Sequence, residues 1–224
     1  KNSKKIFFQN KDDYELFKNN KLIGNKDCVF LHGSGVNLDV YKYKKITAHE
    51  SILYIGRLVR DKGIMEYLEA CRILKSKHPQ LRCMLVGPLD SNPSAINRDD
   101  LMRYIDDGVI EYFGEQKDVR PYIEQCTAIV LPSYREGTPK SVLEAMAVGR
   151  PVVTTDAPGC RETVIDGYNG YLTQVKNIKD TVNKIEKLLY KSDIDAMSLN
   201  SRKLCEELFD VNKVNKTIIE TMEM

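Results

Sequence analysis

From Ser51 onward the chain alternates short, almost wholly apolar runs with stretches of helical spacing, and this alternation constrains the fold more than any other feature. The apolar runs are SILYIG, LRCMLVGP, VIEYFGE, AIVLPS and PVVTTD; between and after them lie GIMEYLEACRILKSKH, DDLMRYIDDG, VRPYIEQC, PKSVLEAMAVG and RETVID. Strands that are apolar on both faces belong to parallel sheets covered by helices on each side. The pattern therefore predicts an α/β fold, a doubly wound parallel sheet of Rossmann-like type. GYNGYL reads as a last short strand, followed by helices around 178–191 and 196–224.

Ahead of this unit stands a lone β-α-β pattern: KKIFFQN (Lys4 to Asn10), DDYELFKNNKLI (Asp12 to Ile23) and CVFLHGSG (Cys28 to Gly35). It is too small to bury both faces of its own sheet. It must pack on the rest of the chain or on something else. The polar, unperiodic NLDVYKYKKITAHE then reads as a linker. Three regions result: 1–45 with the β-α-β unit and linker, 46–200 with the main sheet, and 201–224 as a helical tail.

Lys+Arg 34 against Asp+Glu 32 leaves a net charge of only +2, which gives no electrostatic case for nucleic acid. The first 45 residues carry ten Lys against five acids, consistent with a solvated face or with peripheral attraction to the inner face of an anionic membrane. No apolar run reaches the roughly 18 to 20 residues of a membrane span. Cys28, Cys71, Cys83, Cys126, Cys160 and Cys205 form no C-x-x-C pair, and the economical reading is a reduced, cytoplasmic protein. The three histidines, His32, His49 and His78, are not clustered with cysteine, so no metal site is expected.

Ligands of open parallel sheets bind at the carboxyl ends of the strands. This directs attention to HGSG, GRLVRDKG, GPLD, FGEQ, PSYREGTPK and TTDAPGCRE. In EGTPKSV, Thr138 is of the N-cap type and Pro139 suits the first helical position, leaving the N–H groups of Lys140 and Ser141 free beside Gly137. A helix start of this kind accepts anions, phosphate most naturally. Arg57 and Lys62 of GRLVRDKG add two cations from the loop after the first strand of the same sheet, which suits a diphosphate; a single phosphate or a coenzyme also fits. Glu144 lies among Val142, Leu143, Ala145, Met146 and Ala147. A carboxylate in that company needs partners, and a ribose diol offers two hydroxyl donors. Glu136, eight residues earlier, points beyond the phosphates.

Taken together, GRLVRDKG, VGP, FGEQKDV, LPSYREGTPKSVLEAMAVGRPVV and DAPGCRETVIDGYNGYL resemble the carboxyl-terminal domain of retaining glycosyltransferases of family four, which have the two-domain GT-B fold. The resemblance runs from about Ser51 to Gly170, with HGSGVNLDVY before it. It implies a nucleotide-sugar donor, on family frequency a UDP-sugar, and a polysaccharide or lipid-linked glycan as acceptor. Arg57 and Lys62 would bind the diphosphate and balance the leaving-group charge. Glu136, with the N–H groups from Gly137 to Lys140, would contact the donor sugar and distal phosphate, and Glu144 would hold the ribose. Val86, Gly87, Gly114, Glu115 and Gln116 would lie near the base, with Gly35, Gly56, Thr138, Pro139 and Ser141 completing the donor-binding set. No protein nucleophile, metal or cofactor is implied. Glu162 is a family-typical acid left with a structural or loop-supporting part.

By the same resemblance, residues 1–45 would be the last part of an amino-terminal acceptor domain, and the chain looks like a fragment whose other half would be needed for transfer. A nucleotide-sugar-binding module without turnover and a sugar-nucleotide epimerase are the alternatives. Three motifs are set aside. HGSG lacks a companion G-x-S-x-G nucleophile elbow. Asp193-Ile194-Asp195 lies in a polar helical tail. GSGVN lacks the third glycine and following acid of a dinucleotide fingerprint.

Overall fold

The computed structural model describes residues 5–47 and 50–223. Lys4, the first residue of the expected amino-terminal strand, and Ala48, His49 and Met224 lie outside the described residues. The main unit has a six-stranded sheet built from β3 (Ser51–Ile55), β4 (Arg82–Val86), β5 (Glu111–Tyr112), β6 (Ala128–Leu131), β7 (Val152–Thr155) and β8 (Gly170–Thr173). The order is β5-β4-β3-β6-β7-β8 and every pairing is parallel. This is the doubly wound order that the alternation implies, with the direction of winding reversing between β3 and β6.

Helices α2 (Ile64–Lys77), α3 (Arg98–Asp106), α4 (Arg120–Glu124) and α5 (Lys140–Val148) lie in the crossovers, and α6 (Ile178–Lys191), which follows β8, packs beside α2. All residues of β3, β6 and β7 are buried, as a strand covered on both faces must be. Helix α5 is buried from Val142 to Val148, because the sheet lies on one side and α7 (Ile194–Leu208) packs on the other.

The amino-terminal unit is a separate parallel pair, β1 (Lys5–Phe8) and β2 (Asp27–Phe30), joined by α1 (Lys11–Asn19). Asn10 caps α1, accepting from the Asp13 N–H at 2.7 Å. The first turn of α1 reaches the main unit. Arg161 Nη1 lies 2.7 Å from Asp12 Oδ2, and Arg135 is paired with Asp13.

Three expectations are corrected. RETVID is not a helix: only Arg161–Thr163 form a 3-10 turn, because the Asn169 side chain accepts from Ile165 N–H at 2.8 Å and donates to the Thr163 carbonyl at 3.0 Å, holding the chain in a tight loop. VIEYFGE yields a strand of two residues only. The helix expected over 196–224 is two helices, α7 and α8 (Val211–Glu223). The break falls at Phe209 and Asp210, where Phe209 is fully buried and its carbonyl accepts from Val36 N–H at 2.8 Å. Val211 N–H returns a bond to the Val36 carbonyl at 3.1 Å, so the end of the chain is tied to its beginning.

Arg150, which the sequence does not single out, is 0% exposed and has backbone carbonyls as partners. Its guanidinium donates to Ile123 at 2.8 Å, Lys44 at 2.7 Å and Glu124 at 3.0 Å, tying the carboxyl end of α4 to the linker. Truncating it leaves several buried acceptors without partners, each costing about 1–3 kcal/mol. Arg150→Met is therefore expected to lower unfolding stability by about 2–4 kcal/mol. Urea titration followed by circular dichroism measures this, and an unchanged midpoint contradicts it.

Candidate functional site

The loop after β3 is shaped from beneath by Tyr54. Its buried hydroxyl donates toward the carbonyls of Arg57 at 3.1 Å and Lys62 at 3.3 Å, which curls Gly56 to Lys62 over the strand end. The curl closes at Gly63, with φ +71°. A Cβ there would stand 2.0 Å from the carbonyl oxygen of Pro132, so only glycine allows the β3 and β6 loops to lie this close.

Across that contact Lys62 meets Glu136. The ammonium lies 2.6 Å from Oε1 and 2.5 Å from Oε2, with the carboxylate only 8% exposed. Two residues 74 apart in sequence thus form the central charge pair of the strand-end face. Arg57 stands apart from this pair: its side chain is 57% exposed and lies 3.2 Å from Asp90 on the GPLD loop. Loops from three strand ends therefore carry the two expected cations and their acidic partners.

Thr138 does not cap α5, contrary to expectation. Pro139 is the cap residue, the helix begins at Lys140, and the Thr138 hydroxyl oxygen is buried without a hydrogen-bond partner among the described residues. The reason is steric. The Thr138 side chain is packed on the backbone of Gly33, where a Cβ would lie 2.7 Å from it. The anion-accepting end survives: Val142 and Leu143 turn their N–H groups to the Pro139 carbonyl at 3.0 and 3.2 Å, whereas those of Lys140 and Ser141 have no partner among the described residues. Gly137 lies beneath the Gln9 side chain, whose Oε1 would be 2.5 Å from an added Cβ.

Gly35 packs against the start of α8. A Cβ on it would stand 2.7 Å from Val211 Cα, so its absence serves the chain-end crossing described above. Gly33, two residues earlier, is the glycine of HGSG that meets the start of α5.

Glu144 is 7% exposed, and burial raises its carboxyl above the ordinary range. The Tyr41 hydroxyl and Lys140 oppose that shift, with the Lys140 ammonium 3.7 Å away. Tyr41 belongs to the linker, so one of the two partners of Glu144 comes from outside the main sheet and its helices.

The remaining expected residues also gather at strand ends. Gly87 N–H donates to Gly114 at 2.8 Å, Gly56 N–H to Val86 at 3.1 Å, and the Tyr112 hydroxyl to Gly87 at 2.9 Å. Gly87, with φ +149°, leaves room for the Gly56 carbonyl oxygen, 1.8 Å from where a Cβ would be. Glu115 is exposed on the adjoining loop, and Gln116 folds back to donate to the Phe113 carbonyl at 2.6 Å. Glu162 is raised by burial and has one carboxylate oxygen, Oε2, without a partner among the described residues. Burial pushes the Cys160 thiol up to about 11, which keeps it protonated rather than nucleophilic. Among the described residues no group of three or more His, Cys, Asp or Glu is arranged to hold a metal ion, and no helix is long and apolar enough to cross a membrane.

Once assembled, this arrangement can be set against known proteins. The model of the family described as glycosyl transferases group 1 matches residues 38–203. The N,N'-diacetylbacillosaminyl-diphospho-undecaprenol alpha-1,3-N-acetylgalactosaminyltransferase of Campylobacter jejuni is 33% identical over 198 residues, covering 82% of this chain and 50% of the relative. The capsular polysaccharide biosynthesis glycosyltransferase CapM of Staphylococcus aureus is 29% identical, covering 75% of this chain and 44% of its own. Among solved structures, Anabaena HepE in complex with UDP superposes with a TM-score of 0.86 at 20% identity, over 99% of this chain and 64% of that one. The chain spans about half the length of the curated relatives it matches.

The raised carboxyl of Glu144 gives a signed expectation. Its folded-state value lies above that of an unfolded chain, so the cost of burying its charge is fully present only above the raised value. That cost disappears as pH falls through the raised value and below the ordinary glutamate range. Glu144→Gln is expected to be more stable than the parent near pH 7, with the difference vanishing below about pH 4. Thermal melts across that range test it, and a difference that grows on acidification contradicts the assignment.

Proposed function

Because the chain belongs to the glycosyl transferases group 1 family, we propose that its strand-end face is the donor site of an enzyme that transfers a hexosyl group from a nucleotide sugar, with UDP as the carrier, to a polysaccharide or lipid-linked glycan. The observation that carries the reading is the Lys62–Glu136 pair on the strand-end face, which joins the turn before α2 to the loop that leads into α5. The unpartnered N–H groups of Lys140 and Ser141 supply fixed partial positive charge, and Lys62 supplies a mobile one. Both suit a diphosphate. The HepE structures with UDP and with UDP-glucose, and the diphospho-undecaprenol substrate in the name of the Campylobacter relative, support these classes of donor and acceptor.

The steps follow from charge. A nucleoside diphosphate leaving the sugar gains negative charge, and oriented donors lower the barrier by stabilising it as it develops. Lys62 turns one or more of its three N–H donors to the phosphates, with Arg57 swinging from Asp90 to join it. Relieved of Lys62, Glu136 accepts from a sugar hydroxyl, which fixes the ring relative to the breaking bond. Glu144 accepts from the ribose hydroxyls, and the two hydrogen bonds offset its burial. Transfer with retention is proposed without a protein nucleophile and without a metal: the bond from the anomeric carbon to the diphosphate oxygen breaks as one to the acceptor hydroxyl oxygen forms on the same face, and the hydroxyl proton passes to the departing diphosphate, whose charge is met by this chain's own donors.

Since the chain spans about half of its relatives, binding and transfer are separate expectations, and the first test reads binding alone. Calorimetric titration with UDP, GDP and ADP is expected to select UDP, with the same affinity in magnesium and in EDTA. Replacing both Arg57 and Lys62 by Ala is expected to weaken UDP by about 10- to 100-fold, the worth of one or two charge-assisted bonds, while uridine changes little. Equal losses for UDP and uridine would remove the diphosphate assignment. Glu144→Ala is expected to weaken both ligands about equally, and unchanged affinity would remove the ribose assignment.

A further inference from the structure

A second cross-link joins the same two segments as the Lys62–Glu136 pair, one step further in. Tyr134 lies two residues before Glu136, and its hydroxyl donates to Glu66 Oε1 at 2.7 Å. Glu66 lies four residues after Lys62, on the first turn of α2. Around this contact the backbone of the β6 loop is fastened to the turn carrying Lys62. Tyr134 N–H donates to the Asp61 carbonyl at 2.9 Å, and the Ser133 hydroxyl donates to the same oxygen at 3.1 Å. The Lys176 ammonium sits 4.7 Å above the centre of the Tyr134 ring and holds its other face.

Glu66 is costly where it stands. It is 8% exposed, and its second oxygen, Oε2, is buried without a hydrogen-bond partner among the described residues. A buried carboxylate with one hydrogen bond is worse for packing than an apolar residue of similar size. Its use lies in what it holds. Burial and the adjoining carboxylate push the Tyr134 phenol well above its usual range, so the hydroxyl keeps its proton and remains a donor at any working pH.

We propose that Tyr134 and Glu66 are a positioning pair that sets the register of Glu136 against Lys62, and through it the placing of the Lys62 ammonium for the diphosphate. The geometry is that of two parallel rungs between one loop and one helix start. The inner rung, Tyr134 to Glu66, is held by the adjoining bonds to the Asp61 carbonyl and by Lys176. The outer rung, Glu136 to Lys62, is the one that ligand binding must loosen. Loss of the inner hydroxyl frees the loop to shift at its outer end, where a displacement of a fraction of an ångström changes a short charged contact. The part played by the diphosphate rests on the function proposed above; the coupling between the rungs does not.

The test separates the two. In this chain labelled with nitrogen-15, a Lys62 ammonium held by both carboxylate oxygens exchanges its protons slowly and gives a side-chain NMR signal, identified by its loss in Lys62→Arg. Tyr134→Phe keeps the ring and the Lys176 contact but removes the hydroxyl, and is expected to broaden or abolish that signal. Glu66→Ala should do the same, whereas Glu66→Gln, which keeps a carbonyl oxygen for Tyr134, should restore it. Calorimetry of UDP binding is then expected to weaken about tenfold in Tyr134→Phe, the worth of one hydrogen bond to a charged group, and not to weaken further when Tyr134→Phe is added to Lys62→Ala. Thermal melts check that each variant is folded.

A Lys62 signal absent from the parent chain or untouched by Tyr134→Phe overturns the positioning role. So does a loss of UDP affinity that persists in the Lys62→Ala background, which is how a general loosening of the fold would behave. If the Lys62 signal responds as expected but UDP does not bind, the positioning pair stands and the donor-site reading fails.

Discussion

The close passage of the β6 loop over the turn that starts α2 is the contact on which the site depends. Gly63 adopts a left-handed conformation, and the space a side chain would take is filled by the Pro132 carbonyl, 2.0 Å from a built Cβ. A backbone approach this tight cannot be made by two side-chain-bearing segments. It brings Lys62 and Glu136 within 2.6 Å, lets the Asp61 carbonyl accept from both Ser133 and Tyr134, and lines up the start of α5 behind them. The position is also where the direction of sheet winding reverses, so the crevice and its charges arise from one topological fact.

The same device recurs on the far side of that loop. Gly159, with φ +80°, leaves room for the Glu136 carbonyl oxygen, 2.0 Å from a built Cβ, and Glu136 N–H donates to Pro158 at 2.9 Å. The Ser133 carbonyl accepts from the Thr155 hydroxyl and lies 3.8 Å from the Cys160 sulfur. The segment Pro132 to Gly137 is therefore gripped by backbone on both sides. A carboxylate carried by a segment so held can form a short bidentate pair with little further loss of conformational freedom. The amino-terminal unit adds a third grip from above, through Asp12 to Arg161, Asp13 to Arg135 and Gln9 over Gly137.

Much of this was legible beforehand, and the exceptions share a cause. The apolar runs and their helical interludes gave the sheet and its strand-end loops, because a strand covered on both faces cannot alternate. Glu144 stood out because its neighbours left it no polar face, and burial does raise its carboxyl. By contrast, Thr138 has the chemistry of a helix cap but not the space to act as one, since Gly33 lies against it. RETVID has helical spacing, but the Asn169 side chain bonds the backbone at Thr163 and Ile165 and closes a loop instead. Arg150 resembles a surface cation in GRPVV and is wholly buried among carbonyls of α4 and the linker. In each case a local preference was overruled by a group distant in sequence or on a neighbouring turn.

The sequence by itself determined the alternation of strands and helices along the main sheet, which loops lie at the strand ends and which residue types those loops carry, because these depend on periodicity, glycine placement and charge within short windows. Only the tertiary structure decided partners. It joined Lys62 to Glu136 across 74 residues, set Tyr41 of the linker beside Glu144, placed Tyr134 on Glu66 across 68, and brought Gly35 against Val211. A charge or a hydroxyl chooses its partner by distance in space and by the water it must give up. Neither quantity exists until the sheet has brought the loops together.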